Sequence, residues 1–140
     1  MNMPRRSLFR VLGCALLALP FSVGLAAGLV EKQSGKVRYV TGGVGDDEEA
    51  AIKQLTRNYS VTMTFAVRQG GHADYLSDVP VAIRDARGSM VLNVQTNGPY
   101  LLVKLVPGQY VAEASHDGRL ESRRFTVAKG ARQSLVFEWS

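Results

Sequence analysis

The chain has 140 residues, with 17 basic against 12 acidic side chains, a formal charge of +5 and a single cysteine. This length suffices for one domain with its own core and leaves little for a second. One cysteine excludes an intrachain disulfide and a thiolate zinc cluster, and the modest positive charge gives no basis for a nucleic-acid partner.

Residues 1–27 read as a secretory signal. Arg5, Arg6 and Arg10 form a basic start, and Val11 to Ala27 run without a charge. Ala26, Ala27 and Gly28 supply the small residues of a cleavage site. The apolar run falls short of the ~20 residues that a membrane span needs, and Pro20 interrupts it. Val11-Leu12-Gly13-Cys14 partly matches a lipobox, but the apolar stretch continues well past Cys14. Cleavage near Ala27 is therefore the expectation, and lipid attachment at Cys14 the weaker reading. Cleavage removes three arginines and leaves 14 basic against 12 acidic residues, or +2. The expected product, residues 28–140, is a periplasmic or secreted domain without cysteine.

The segment 35–59 reads as strand, turn and helix. Gly35 to Tyr39 suit a first strand with Val37 and Tyr39 inward. "TGGVGDDEE" follows. Gly42, Gly43 and Gly45 suggest a phosphate loop, but the Gly-Lys-Ser/Thr ending is missing and four acids stand in its place. The reading preferred instead is a strand-to-helix turn, with Asp46 as the N-cap and Glu49 completing an acidic capping box. Asp46 to Tyr59 then read as one helix whose apolar stripe centres on Ile52, Leu55 and Tyr59.

From Ser60 to Trp139 the apolar residues recur with period two. Val61, Met63, Phe65 and Val67 form one such series, and Leu135, Phe137 and Trp139 form the last. Turn signals rich in Gly, Pro, Asn and Asp separate the runs at short intervals, the mark of an antiparallel sandwich or barrel. Gln69 to Ser77, "QGGHADYLS", breaks the alternation and reads as an exposed, mobile loop.

Candidate chemistry is sparse. His72 and His116 have no ligand-spaced neighbour, so no metal is expected. Ser115-His116-Asp117 holds the letters of a catalytic triad, but adjacent residues cannot form its chain of hydrogen bonds. Arg119, Arg123, Arg124, Lys129 and Arg132 crowd the last hairpin, yet alternation sends Arg123 and Arg124 to opposite faces. Among the aromatic residues, only Tyr75 and Tyr100 have no evident place inside.

Between Asp78 and Trp139 the chain resembles the carboxypeptidase-regulatory-like domains of the transthyretin-like (prealbumin-like) sandwich group. Leu105, Pro107, Gly108 and Tyr110 match its L-x-P-G-x-Y piece. Thr96, Gly98 and Tyr100 match the preceding step, and Val127 and Gly130 the closing pair. The first part looks like a set of small exported bacterial proteins of unknown role. The resemblance implies a mainly-β fold, a seven-stranded antiparallel Greek-key sandwich with one helix between its first two strands. It also implies a non-catalytic accessory or interaction module of the cell envelope, without cofactor, whose partner is a protein or a glycan. Carbohydrate binding is the alternative and hydrolysis the least favoured reading. His72, Asp74, Tyr75 and Tyr100 are the candidate binding residues.

Overall fold

The computed structural model describes residues 28–140. Residues 1–27, where a secretory signal is expected, and with them Cys14, lie outside the described residues. Among the described residues, ten strands build two sheets, accompanied by one α-helix. The larger sheet runs β1 (Lys32–Ser34), β2 (Val37–Gly42), β7 (Tyr100–Lys104), β3 (Val61–Gln69), β10 (Gln133–Trp139), with β4 (His72–Tyr75) also on β3. The smaller runs β6 (Met90–Gln95), β5 (Pro80–Asp85), β8 (Gly108–His116), β9 (Arg119–Val127).

The period-two series face one another between the sheets. Val61, Met63, Phe65, Leu101, Val103 and Phe137 from the larger sheet meet Val81, Ile83, Leu92, Ala112, Ala114 and Phe125 from the smaller. Phe65 stacks on Phe137 with ring centroids 5.4 Å apart. Burial of this apolar surface is the main force holding the sandwich.

A second, smaller core lies on the outer face of the larger sheet. Helix α1 (Asp46–Leu55) covers β2 and β7 there, and Leu29, Val40, Ile52, Tyr59, Tyr100 and Leu102 are buried together. This explains the unbroken apolar run from Tyr100 to Val103. Leu101 and Val103 point into the sandwich, while Tyr100 and Leu102 point to the helix.

Several expectations need correction. The described residues form ten strands rather than seven, and β10 pairs with β3 in parallel, so the larger sheet is mixed. The Gln69–Ser77 stretch is not an irregular loop. It is the end of β3, a Gly70-Gly71 turn and strand β4, paired from Gln69↔His72 to Ala66↔Tyr75. Gly70 and Gly71 both have positive φ, 54° and 90°, as a two-residue type I′ hairpin turn requires. All four residues of β4 are exposed, so no apolar alternation marked it. The helix ends at Leu55 and a 3-10 turn covers Thr56–Asn58, leaving Tyr59 in extended backbone.

The helix start also differs from the expected capping box. Gly45 is the N-cap residue, and no side chain caps it. Its φ of 85° is one that glycine adopts without penalty. Asp46 is already helical, and Glu49 reaches elsewhere. Glu48 does the satisfying instead: its carboxylate accepts a hydrogen bond from the Gly43 N–H at 2.8 Å. The acids still lie in the first turn, where the helix dipole favours negative charge.

The motif residues lock the chain at its crossings. Tyr110 donates its hydroxyl to the Val106 carbonyl at 2.6 Å and stacks on Phe125 with centroids 5.6 Å apart. This bond back across Pro107-Gly108 holds the turn that leads into β8. Leu105 is fastened by Ser60, whose Oγ accepts from its N–H and donates to its carbonyl. The fully buried Thr96 accepts from the Val79 N–H at 3.0 Å.

Candidate functional site

Three distant stretches of chain converge beside the start of α1. Strand β7 stops pairing with β3 at Tyr100↔Thr64, and β4 takes over the same side of β3 at Tyr75↔Ala66. Thr64 and Ala66 are two residues apart, so Tyr100 and Tyr75 emerge as neighbours on the helix-covered face. Their ring centroids are 5.7 Å apart and tilted by 53°. Tyr100 is buried and Tyr75 is 58% exposed.

The Tyr100 hydroxyl ties the cluster together. It lies 3.1 Å from Glu49 Oε1 and 3.2 Å from the Tyr75 hydroxyl. A carboxylate can only accept, so Tyr100 donates to Glu49 and the Tyr75 hydroxyl completes the chain. Glu49 is also paired with Lys53 one helical turn on, at 2.9 Å. The Lys53 hydrogen bond first, and then that of Tyr100, hold the Glu49 carboxyl below the usual carboxylate range. Lys53 is correspondingly held above its ordinary value by Glu49. Burial first, and then its hydrogen-bonded neighbours, push the Tyr100 hydroxyl well above the ordinary phenol value.

The glycine turn forms the floor of this cluster. A side chain at Gly43, where φ is 103°, would run into the Tyr100 ring. At Gly42 it would strike Leu29 and the Glu48 carboxylate. The glycines thus allow the strand-to-helix turn to close over Tyr100. Tyr75 of β4, Tyr100 of β7 and Gly43 of the glycine turn thus lie side by side.

His72 and Asp74 do not join the cluster. They stand on the opposite face of β4 from Tyr75, because side chains on a strand alternate. His72 Nε2 lies 3.6 Å from Asp74 Oδ1, and both side chains are exposed. Among the described residues, no three His, Cys, Asp or Glu side chains are grouped to hold a metal ion. No helix among them is long and apolar enough to cross a membrane.

Sequence reasoning missed Lys53 entirely and gave Glu49 the wrong task. Their i, i+4 spacing on one helix was the available signal. It also missed a second polar cluster at the other end of the small core. There Tyr59 donates to Glu31 at 2.5 Å, and Lys104 lies 3.4 Å from the same carboxylate and 4.9 Å from the Tyr59 ring centre. Arg38 adds a longer pair to Glu31 at 3.7 Å. The Tyr59 hydrogen bond, opposed by burial and helped by Lys104 and Arg38, holds the Glu31 carboxyl below its usual range.

Open depressions lie elsewhere among the described residues, two of them as follows. One is bordered by Asp85, Gln109 and Arg124, and the other follows α1 past Asp47, Gln54 and Arg57. Asp85 is already committed to its turn, accepting from the Arg87 and Ser89 N–H groups. The arginines of the last hairpin divide as alternation requires. Arg123 lies over the Phe137 ring, 5.4 Å from its centre, and the exposed Arg124 faces the other way.

No protein-family model matches the chain, and no curated protein matches it. Neither comparison confirms the carboxypeptidase-regulatory-like resemblance. Solved structures similar to this one include the crystal structure of S.CueP, at 13% identity and a TM-score of 0.39, covering 77% of this chain and 71% of that one.

Proposed function

We propose that this protein is a non-catalytic interaction module of the bacterial cell envelope, exported by residues 1–27, and that it engages its partner through the surface around Tyr75. The observation that carries this reading is the state of the Tyr75 ring. It is largely exposed, yet its hydroxyl is hydrogen-bonded to a buried tyrosine that Glu49 and Lys53 hold in turn. A tyrosine presented in a fixed orientation contributes contact area at low entropic cost, which is why tyrosine is enriched in binding surfaces. Nothing in this reading needs a cofactor or a bond-breaking step.

The test is site-specific photo-crosslinking in the bacterial envelope. A benzoylphenylalanine at position 75 is expected to give a discrete adduct. The same group at exposed Leu120, on the smaller sheet, is expected to give none. Equal labelling at both positions, or none at either, sinks the proposal.

A second reading, carbohydrate binding, has one observation in its favour. An exposed aromatic ring next to a carboxylate and an ammonium group is the equipment for stacking on a sugar and bonding its hydroxyls. A glycan array without a hit removes it. The hydrolase reading has no comparable support, since His72 is exposed and its charged neighbour is Asp74 alone.

A further inference from the structure

Strand β4 offers a free edge. Gln69 and His72 flank the two-residue turn, so they are a hydrogen-bonded pair of the hairpin, and pairing alternates from there. Asp74 and Leu76 then bond inward as well, and the Leu76 N–H indeed donates to the Phe65 carbonyl at 3.0 Å. Ala73 and Tyr75 consequently turn their N–H and C=O groups away from β3.

No described strand meets those groups. Strand β2 would be the neighbour, but its ladder ends at Gly42↔Tyr100, where the glycine turn carries the chain away into α1. Beyond that level, β4 is the outermost strand on its side of β3. Exposed sheet edges are normally guarded by lysine, proline, a bulge or a cover. Strand β4 carries none of the first three, and its guards are its shortness and the charge of Asp74.

Charge selects among possible occupants. Asp74 is exposed on the strand itself, Asp78 is exposed just after it, and Asp46 and Asp47 are exposed where the helix leaves the glycine turn. Of the basic side chains around this edge, Lys53 and Arg68 are already paired with Glu49 and Glu138, and His72 on the strand itself lies 3.6 Å from Asp74. A second copy of this chain fits poorly. In a two-fold antiparallel pairing through Ala73 and Tyr75, the Asp74 carboxylates of the two copies would stand directly opposite, and like charges there are destabilising.

From this we infer that β4 is a docking edge for an extended, basic peptide segment of a partner protein, which adds a strand beside Ala73 and Tyr75. Main-chain hydrogen bonds supply the affinity and the aspartates select the charge. The inference rests on the interaction-module reading and specifies the kind of partner.

The test uses the full exported protein and two synthetic hexapeptides, Lys-Val-Thr-Val-Lys-Thr and its counterpart with both lysines replaced by glutamate. The basic peptide is expected to shift the amide resonances of Ala73 and Tyr75 and slow their hydrogen exchange. A Kd on the order of 0.1 mM is expected, with the acidic peptide at least about tenfold weaker. Ala73→Pro removes only an outward N–H, a substitution that edge strands tolerate, and is expected to abolish binding. Asp74→Lys leaves the backbone edge intact and is expected to narrow or reverse the charge preference, so the test survives if the proline variant fails to fold.

Absence of any shift overturns the inference, as does equal binding of both peptides. Self-association without peptide, with Ala73 protected, overturns it in favour of a second copy. Shifts confined to the Tyr75 ring and Lys53 end it too, but leave the interaction-module reading standing. Absence of the crosslink at position 75 ends the interaction-module reading, and with it the inference that rests on it.

Discussion

Replacing Ile52 by alanine tests whether α1 is a working part of the site. Ile52 is the one fully buried side chain of the helix. A ten-residue helix does not persist in water by itself, so its packing must hold it. The substitution removes three buried carbons. At ~0.8 kcal/mol each, the transfer loss is about 2.4 kcal/mol. A cavity contribution comes on top, and measured Ile-to-Ala changes span about 2–5 kcal/mol. The small core lies beneath one helix, which can settle inward, so a total of about 3 kcal/mol is expected. For a domain of this size that lowers the Tm by roughly 10–20 °C. Calorimetry and urea unfolding measure it, and hydrogen exchange should show the helix amides losing protection before those of β3 and β8. Glu49 and Lys53 ride on the same helix, so the Tyr75 ring should gain mobility as well. A loss under about 1 kcal/mol, or unchanged helix protection, would refute the claim that Ile52 anchors the helix to the sheet.

Three further outcomes follow from the polar clusters and the glycine turn. Tyr100→Phe removes the hydroxyl that joins Tyr75 to Glu49. One late-titrating phenol should vanish from the alkaline ultraviolet titration, and the Tyr75 ring signals should sharpen with motion; an unchanged titration counts against the cluster. Glu31 has a folded-state pKa below its ordinary 4.5. Its contribution to stability is therefore present above that value and is lost as pH falls through the lower, folded value. Glu31→Gln should flatten the decline of Tm below about pH 4.5 and lower Tm at neutral pH; parallel curves would show that other carboxylates cause the decline. Gly98→Ala would press a methyl group onto the Gly42 backbone, 2.9 Å from its Cα and closer still to its carbonyl. Neither segment can yield by rotating a side chain, so a loss of about 1–3 kcal/mol is expected in chemical denaturation.

The site was partly legible in the sequence. Tyr75 and Tyr100 stood out because neither had a natural place in the alternating core, and the structure brings those two together. His72 and Asp74 were equally visible, but a strand sends them to the face away from Tyr75. Glu49 was noticed as a helix cap, yet its carboxylate meets Tyr100 and Lys53. Such partners sit 51 and 25 residues from or to Tyr100 along the chain, and no local pattern encodes the pairing.

By itself the sequence determined the mainly-β class, the single helix and most strands of the sandwich. Those features follow from local periodicity, because each buried strand face repeats every two residues and the helix stripe every three or four. It did not reveal β1 or β4, whose exposed residues carry no apolar alternation. Only the tertiary structure decided that β10 lies parallel to β3, that α1 packs on the outer face of the larger sheet, and that Tyr75 projects beside a free strand edge. Strand partners are chosen by long-range burial and backbone hydrogen bonding summed over both sheets. That sum exists only once the chain has closed on itself.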